Sequence, residues 1–473
     1  MRKTKIVITV GPSTDSKTKI KKLIKNGVDV FRLNFSHATH NYHKEVIDKI
    51  RDASKVLNKE VAILQDISGP KIRICHLKNP MELKVGQILT LSKDKIDEQN
   101  KQITLSYPEI IDSLKVGESI YFSDGTIRTK VKSKSKNEVL CEVVIGGTLQ
   151  SKKGINFPQS KLNIDTITPK DEKDIIFGAQ NGVDIIALSF VSNKKDILRA
   201  KQIQTENGNE ALIFPKIEKP EAVSNLDSIL SVSDGVMVAR GDLGVEFGLH
   251  KVPMVQKKII QKANELGIPA ITATQMLTSM INSPYPTRAE MSDIANAVID
   301  GTDAVMLSDE TTVGNYPLEA IEVLKSCIKE TEKGYDFHKH LDHINEEESI
   351  AAAVTTIAKT ISPHALISFT RSGKSAMQLA RFRPKQKIIV SSFDIKTIRK
   401  MQVVWGITDY VKLEYMTKEA DLLKDFFTKA LKKKAININK KYVLTLGYPL
   451  SVTFPSNQIK IVDKNSIDYF LEK

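Results

Sequence analysis

The chain has 473 residues, 41% of them hydrophobic, enough to fill two to four packed domains, so a globular protein is expected. Its formal net charge of +14 suits a nucleic-acid partner, but aromatics make up only 6% and stand apart from basic clusters such as Lys432-Lys433-Lys434 and Lys440-Lys441, which argues against one. No run approaches the roughly 18 apolar residues of a membrane span, and the opening segment is broken at Gly11-Pro12 too early for a signal peptide, so the expectation is a cytoplasmic protein with no membrane partner. Cys75, Cys141 and Cys327 lack the spacing of a disulfide framework or a zinc site.

In chain order, eight apolar, β-branched runs are predicted as strands: 5–10, 28–34, 61–66, 183–190, 211–218, 235–240, 269–275 and 303–307. Several follow a helix-like segment closed by a glycine, at Asn26-Gly27, Asn181-Gly182, Asp234-Gly235, Leu266-Gly267 and Asp300-Gly301. A glycine past a helix and before a strand reads as a left-handed C-cap and re-entry into a sheet. Eight strands alternating with helices predict a (β/α)8 TIM barrel.

Between the third and fourth runs the pattern changes to short Thr, Val, Ile and Lys strands with turns at Gly86, Gly117 and Asp124-Gly125. An inserted β-barrel domain over 72–167 is therefore expected, leaving the face where such barrels keep their chemistry and acting as an all-β lid. The barrel then comprises residues 1–71 and 168–340. A further domain over 341–473, opened by a helix with Asn345 and Glu348 at capping-box spacing and alternating strands with helices, reads as a doubly wound α/β domain.

Charged and hydroxyl groups collect at the ends of the barrel runs. Lys216 and Glu218 alternate with Ile217, so an ammonium and a carboxylate face one way. Arg240-Gly241-Asp242 closes the sixth run, and Glu218 with Asp242 can hold one Mg2+ while leaving positions for substrate oxygens. Arg32-Leu33-Asn34-Phe35-Ser36-His37 and Asp66-Ile67-Ser68-Gly69-Pro70-Lys71-Ile72-Arg73 add guanidinium groups, an ammonium and hard oxygen donors. Arginine forks suit phosphate oxygens, so the mouth fits a phosphorylated acid held through metal and cations.

These segments, with the 5–12 run, Ser151-Lys152-Lys153-Gly154-Ile155-Asn156, Val238 to Glu246, Ala273-Thr274-Gln275-Met276-Leu277, Pro286-Thr287-Arg288-Ala289-Glu290 and Asn315-Tyr316-Pro317-Leu318-Glu319, resemble the successive signatures of the pyruvate kinases, in that family's order over nearly the whole chain. The resemblance implies a cytoplasmic glycolytic homotetramer that transfers the phosphoryl group of phosphoenolpyruvate to ADP with Mg2+ or Mn2+. It implies Glu218 and Asp242 as metal ligands, and Lys216 neutralising the phosphoryl group in flight. Gly241, Asp242 and Thr274 would meet the substrate carboxylate, and Thr274 would also lie near the enolate's proton path. Arg32 would grip phosphate, while Asn34, His37, Arg73 and Lys153 would form the nucleotide side.

The chain departs from the family in four places. A K+ site is implied by Asn34, Ser36, Asp66 and the Ile67 carbonyl, yet Lys71 stands where K+-dependent members often carry glutamate, so K+ is expected not to be required. Thr370-Arg371-Ser372-Gly373-Lys374-Ser375 opens a helix and resembles the family's phosphate-gripping effector loop, whereas the partner loop Thr453-Phe454-Pro455-Ser456-Asn457 lacks the usual glycines. A sugar phosphate or nucleotide is the expected effector class. Asp309 replaces a small residue and Met291 a glycine or valine, with no account from sequence. The rival reading is a metal-dependent pyruvate-enolate lyase or aldolase on a related barrel, which needs neither Lys216 with two arginines nor a lid.

Overall fold

A computed structural model describes residues 2–94, 96–160, 164–342, 345–450 and 455–472. Lys5–Thr9, Val30–Asn34, Ala62–Asp66, Ile185–Leu188, Leu212–Ile217, Val236–Ala239, Ala270–Ala273 and Ala304–Leu307 form a closed barrel of parallel strands, the last pairing with the first. They are buried along nearly their whole length, the cost of two covered faces being met by Val, Ile, Leu and Ala on both sides. Val7, Leu64, Phe214, Met237 and Ile271 belong to one buried cluster, and Ile8, Ile63, Ile186 and Val238 to another with the surrounding helices.

Glycine punctuation marks the helix ends at Gly27, Gly267 and Gly301, each left-handed at φ 98, 70 and 96° and capping the preceding carbonyls. Gly235 is a correction. The preceding helix, Leu226–Leu230, already ends with Ser231 as its cap, and glycine is required because a Cβ there would lie 2.2 Å from Cζ of Phe214. The sixth and seventh strands stop short of the predicted runs. Arg240–Leu243 is a helical turn, and Thr274 and Gln275 take φ of 68 and 55°.

Between the third and fourth barrel strands stand a six-stranded sheet, ordered Ile155–Asn156, Ser119–Phe122, Ile127–Lys134, Glu138–Ile145, Ile88–Ser92 and Gln102–Thr104, and a two-stranded ribbon of Met81–Leu83 with Gly147–Leu149. These are two sheets rather than the single ring expected, with one short helix, Ile110–Ser113, and a hydrophobic core of their own. Both connections to the barrel meet at buried Asp171, whose Oδ1 accepts from the Gly69 amide at 3.1 Å and whose Oδ2 accepts from the Thr168 amide at 2.9 Å.

The carboxy-terminal sheet is ordered Ile407–Lys412, Lys387–Ser392, Ala365–Phe369, Tyr442–Leu446 and Gln458–Val462, parallel except for the last pair. Its first helix, Glu346–Ile361, is capped by Asn345 through the Glu348 amide at 3.0 Å, as its spacing predicts. Buried Arg383 ties this layer to the barrel, donating to both Asp303 carboxylate oxygens at 3.0 Å, while the Trp405 amide donates to Oδ1 of the same residue at 3.0 Å.

Candidate active site

The chemistry-bearing side chains converge where barrel strands end. The Lys216 ammonium lies 2.9 Å from Oε1 of Glu218 and 3.3 Å from Oδ1 of Asp66, and it donates to the Ser189 hydroxyl at 2.9 Å. Asp66 Oδ2 accepts from Arg32 Nε at 2.7 Å, and Arg32 also donates to the Thr9 hydroxyl at 2.9 Å. The Ser189 hydroxyl in turn donates to the Ile67 carbonyl at 2.6 Å. Alternation along each strand explains the convergence, because residues two apart share a face.

Burial sets the electrostatics. Burial alone would discharge Lys216, but Asp66, Glu218 and Asp242 outweigh it and hold the ammonium above its ordinary range. Asp66 is held below the usual carboxylate range because Lys216 and Arg32 overcome its own burial. Glu218 is pushed up to about 7, chiefly by burial and then by the Asp242 charge, against the pull of Lys216. Its Oε2 accepts from the Phe190 amide at 2.7 Å, while Oε1 is buried and has no aligned hydrogen-bond donor. The Lys216 ammonium, 2.9 Å away, is the charge partner of Oε1.

Arg32, Asn34, Gly241, Asp242 and Thr274 line one cleft between barrel and inserted sheets. The Thr274 hydroxyl accepts from the Gly241 amide at 2.9 Å and donates to the Ala273 carbonyl at 2.7 Å. Of the nucleotide-side residues only Asn34 lines this cleft, and His37, Arg73 and Lys153 do not. Arg73 donates to the Lys152 carbonyl at 2.9 Å at the base of the inserted sheets, Lys153 is exposed, and His37 is exposed with its carbonyl 2.9 Å from Nε2 of His43. Asn34 Oδ1 accepts from the Ser36 amide at 3.1 Å. Lys71 is exposed and lines a neighbouring recess with Gly154, Asn156, Asp242 and Glu246.

In the carboxy-terminal domain, Thr370, Arg371, Ser372, Lys374 and Ser375 line a pocket of about 290 Å³ with Phe393 and Tyr415. The Gly373 amide donates to the Thr370 hydroxyl at 2.9 Å, Lys374 pairs with Glu347 at 2.6 Å, and Ser375 meets Ser456 at 3.0 Å. Thr453 and Phe454 of the partner loop lie outside the described residues.

Sequence reasoning missed Ser189, Arg240 and Glu246. Ser189 was legible as a hydroxyl interrupting an apolar run just where it reaches the mouth. Glu246 accepts from Asn156 Nδ2 of the inserted sheet at 2.7 Å, a contact that no local pattern encodes.

A (β/α)8 barrel with a buried ammonium, a guanidinium and carboxylates at its strand ends is an enzyme barrel built for anionic, phosphorylated substrates. The model of the family "Pyruvate kinase, barrel domain" matches residues 1–321, and that of "Pyruvate kinase, alpha/beta domain" matches residues 348–462. Curated pyruvate kinases of Staphylococcus epidermidis RP62A and Staphylococcus aureus MRSA252 are each 40% identical over 470 residues, covering 98% of this chain and 80% of theirs. A crystal structure of a pyruvate kinase from Cryptosporidium parvum superposes with a TM-score of 0.91 at 34% identity, over 98% of this chain and 96% of that one. The chain belongs to the pyruvate kinase family and is a phosphotransferase, of a family that works with a divalent metal. No helix among the described residues is long and apolar enough to cross a membrane.

Proposed function

We propose that phosphoryl transfer from phosphoenolpyruvate to ADP is centred on Lys216, and the observation that carries this is its ammonium held among Glu218, Asp66 and Ser189 at the barrel mouth. Lys216 is kept charged by its carboxylate neighbours and so offers a fixed positive field to the equatorial oxygens of the moving phosphoryl group. Arg32, oriented by Asp66 and Thr9, grips phosphate oxygens beside it. The Gly241 and Asp242 backbone and Thr274 orient the substrate carboxylate, and Thr274 stands near the proton path to the enolate. Asn34, His37, Arg73 and Lys153 serve the nucleotide, Lys153 arriving as the inserted sheets close and exclude water.

The residues fit a divalent cation. Glu218 Oε1 is a buried oxygen with no aligned donor, Glu218 and Asp242 are hard ligands, and no larger cluster of metal-binding side chains occurs among the described residues. Two protein carboxylates suit Mg2+, or Mn2+, which keeps other positions for water and substrate. Bound there, the metal supplies positive charge to substrate oxygens. Steady-state rates of ADP-dependent pyruvate formation test the assignment. A loss of at least about 1000-fold in kcat is expected for Lys216→Met, and near-normal turnover refutes the role. Pyruvate release from phosphoenolpyruvate without ADP would instead favour the lyase or aldolase reading.

K+-independence is proposed from Lys71, with support from three of the four implied oxygens being engaged: Asn34 Oδ1 by the Ser36 amide, Asp66 by Arg32 and Lys216, and the Ile67 carbonyl by Ser189. Rates in sodium salts at constant ionic strength are expected to match those in KCl, and Lys71→Glu to gain K+ activation. A large KCl stimulation of the wild type refutes it. The 370–375 turn is proposed to take a sugar phosphate or nucleotide effector, the assembly to be a cytoplasmic homotetramer, and the domains to divide near 71, 167 and 340. A shift of the phosphoenolpyruvate saturation curve by such a ligand, lost in Ser372→Ala, checks the effector site.

A further inference from the structure

Arg240 follows the sixth strand at the start of the helical turn Arg240–Leu243 and has no part in the roles above. Its side chain is 8% exposed. Nε donates to the Ala273 carbonyl at 3.3 Å, and Nη2 donates to the carbonyls of Thr274 at 2.6 Å and Gln275 at 3.2 Å and approaches Met276 Sδ at 2.7 Å. Nη1 donates to both carboxylate oxygens of Asp293 at 2.8 and 2.7 Å and lies 3.4 Å from Oε1 of Gln256. A guanidinium has five N–H donors, and protein acceptors occupy all of them. Arg240 therefore has none left for a substrate, although it adjoins Gly241 and Asp242.

What it holds is a strained turn. Thr274 is β-branched and sits at φ 68°, followed by Gln275 at 55°, a region in which side-chain-bearing residues stay only when their surroundings fix them. The turn takes the Thr274 and Gln275 carbonyls out of the strand ladder, and Arg240 gives them their donors. Asp293 lies on the helix Arg288–Asp300, and Glu290 of the same helix accepts from the Ser279 amide and hydroxyl at 2.7 and 2.6 Å. One helix thus grips the 274–279 segment at both ends.

We propose that Arg240, anchored by Asp293, is a positioning residue that fixes Thr274 for proton delivery to the enolate carbon. This rests on the reading of Thr274 given above. Thr274 holds the Gly241 amide through its hydroxyl, so release of the turn displaces the hydroxyl and the substrate-side backbone together. A displacement of about 1 Å at a reacting group costs on the order of 100-fold in rate.

The test compares two reactions of the full-length enzyme: ADP-dependent turnover of phosphoenolpyruvate, and exchange of pyruvate methyl hydrogens with solvent deuterium, which isolates the proton step. Arg240→Met is expected to slow exchange about 100-fold, by more than it slows phosphoryl transfer and in the manner of Thr274→Ala, with KM for ADP within about twofold. Asp293→Asn is expected to show the same bias at about a tenth of the size, and Asp293→Glu to restore part of it. If Arg240→Met does not fold, Asp293→Asn decides alone. An exchange-to-transfer ratio equal to that of the wild type in these variants, whatever the loss of stability, overturns the proposal. Unaltered exchange in Thr274→Ala removes the role of Thr274 itself, and the clamp then has nothing to position; normal clamp variants beside a crippled Thr274→Ala remove the clamp alone.

Discussion

As a proposed metal ligand, Glu218 is expected to make metal binding release a proton near neutral pH. Its carboxyl is pushed up to about 7, first by burial and then by Asp242, whereas an ordinary glutamate near 4.5 is already ionised. A metal binds the carboxylate, so a proton held by Glu218 has to leave as the metal enters. With half-titration near 7, about 0.9 proton is expelled per metal at pH 6 and about 0.1 at pH 8, and the apparent Kd weakens about tenfold from pH 8 to pH 6, about fivefold of it below pH 7. Isothermal titration of Mn2+ into the substrate-free enzyme, in pairs of buffers with different ionisation heats, counts those protons. Glu218→Gln is expected to bind weakly with no such release. A wild-type count near zero at both pH values would show Glu218 ionised throughout and refute the reasoning.

Other consequences follow from packing. Arg383→Met leaves Asp303 buried without its guanidinium and is expected to cost about 3–5 kcal/mol, read as a lower denaturant midpoint; an unchanged midpoint refutes the role of this pair in joining barrel and carboxy-terminal domain. Gly235→Ala sets a methyl 2.2 Å from the Phe214 ring and is expected to destabilise the chain by about 1–3 kcal/mol. Phe214→Leu in the same chain is expected to recover part of that loss, and strict additivity of the two substitutions argues against the contact.

The strand count and helix ends were legible because local chemistry encodes them, through β-branched runs and left-handed caps at Gly27, Gly267 and Gly301. Gly235 carries the same letter for another reason, its clearance from Phe214, which comes from a different strand and has no local trace. The 235–240 and 269–275 runs continue in sequence as though extended, and what stops the second is the distant pairing of Arg240 with the turn and with Asp293. Lys216 and Glu218 could be put on one face from strand alternation, and Arg32 and Asp66 at the same rim because each closes a barrel run. Arg73, Lys153 and Lys71 could not be placed, because their positions depend on how the inserted sheets lie over the mouth.

Asp171 gives those sheets a common pivot. Its two oxygens fasten the outgoing and returning stretches of chain to the start of one barrel helix, so both roots of the inserted body are tied to a single carboxylate. The Asp124-Gly125 turn of those sheets rests beside Val245 of the barrel, so a rotation about the root would open or close the cleft at that contact.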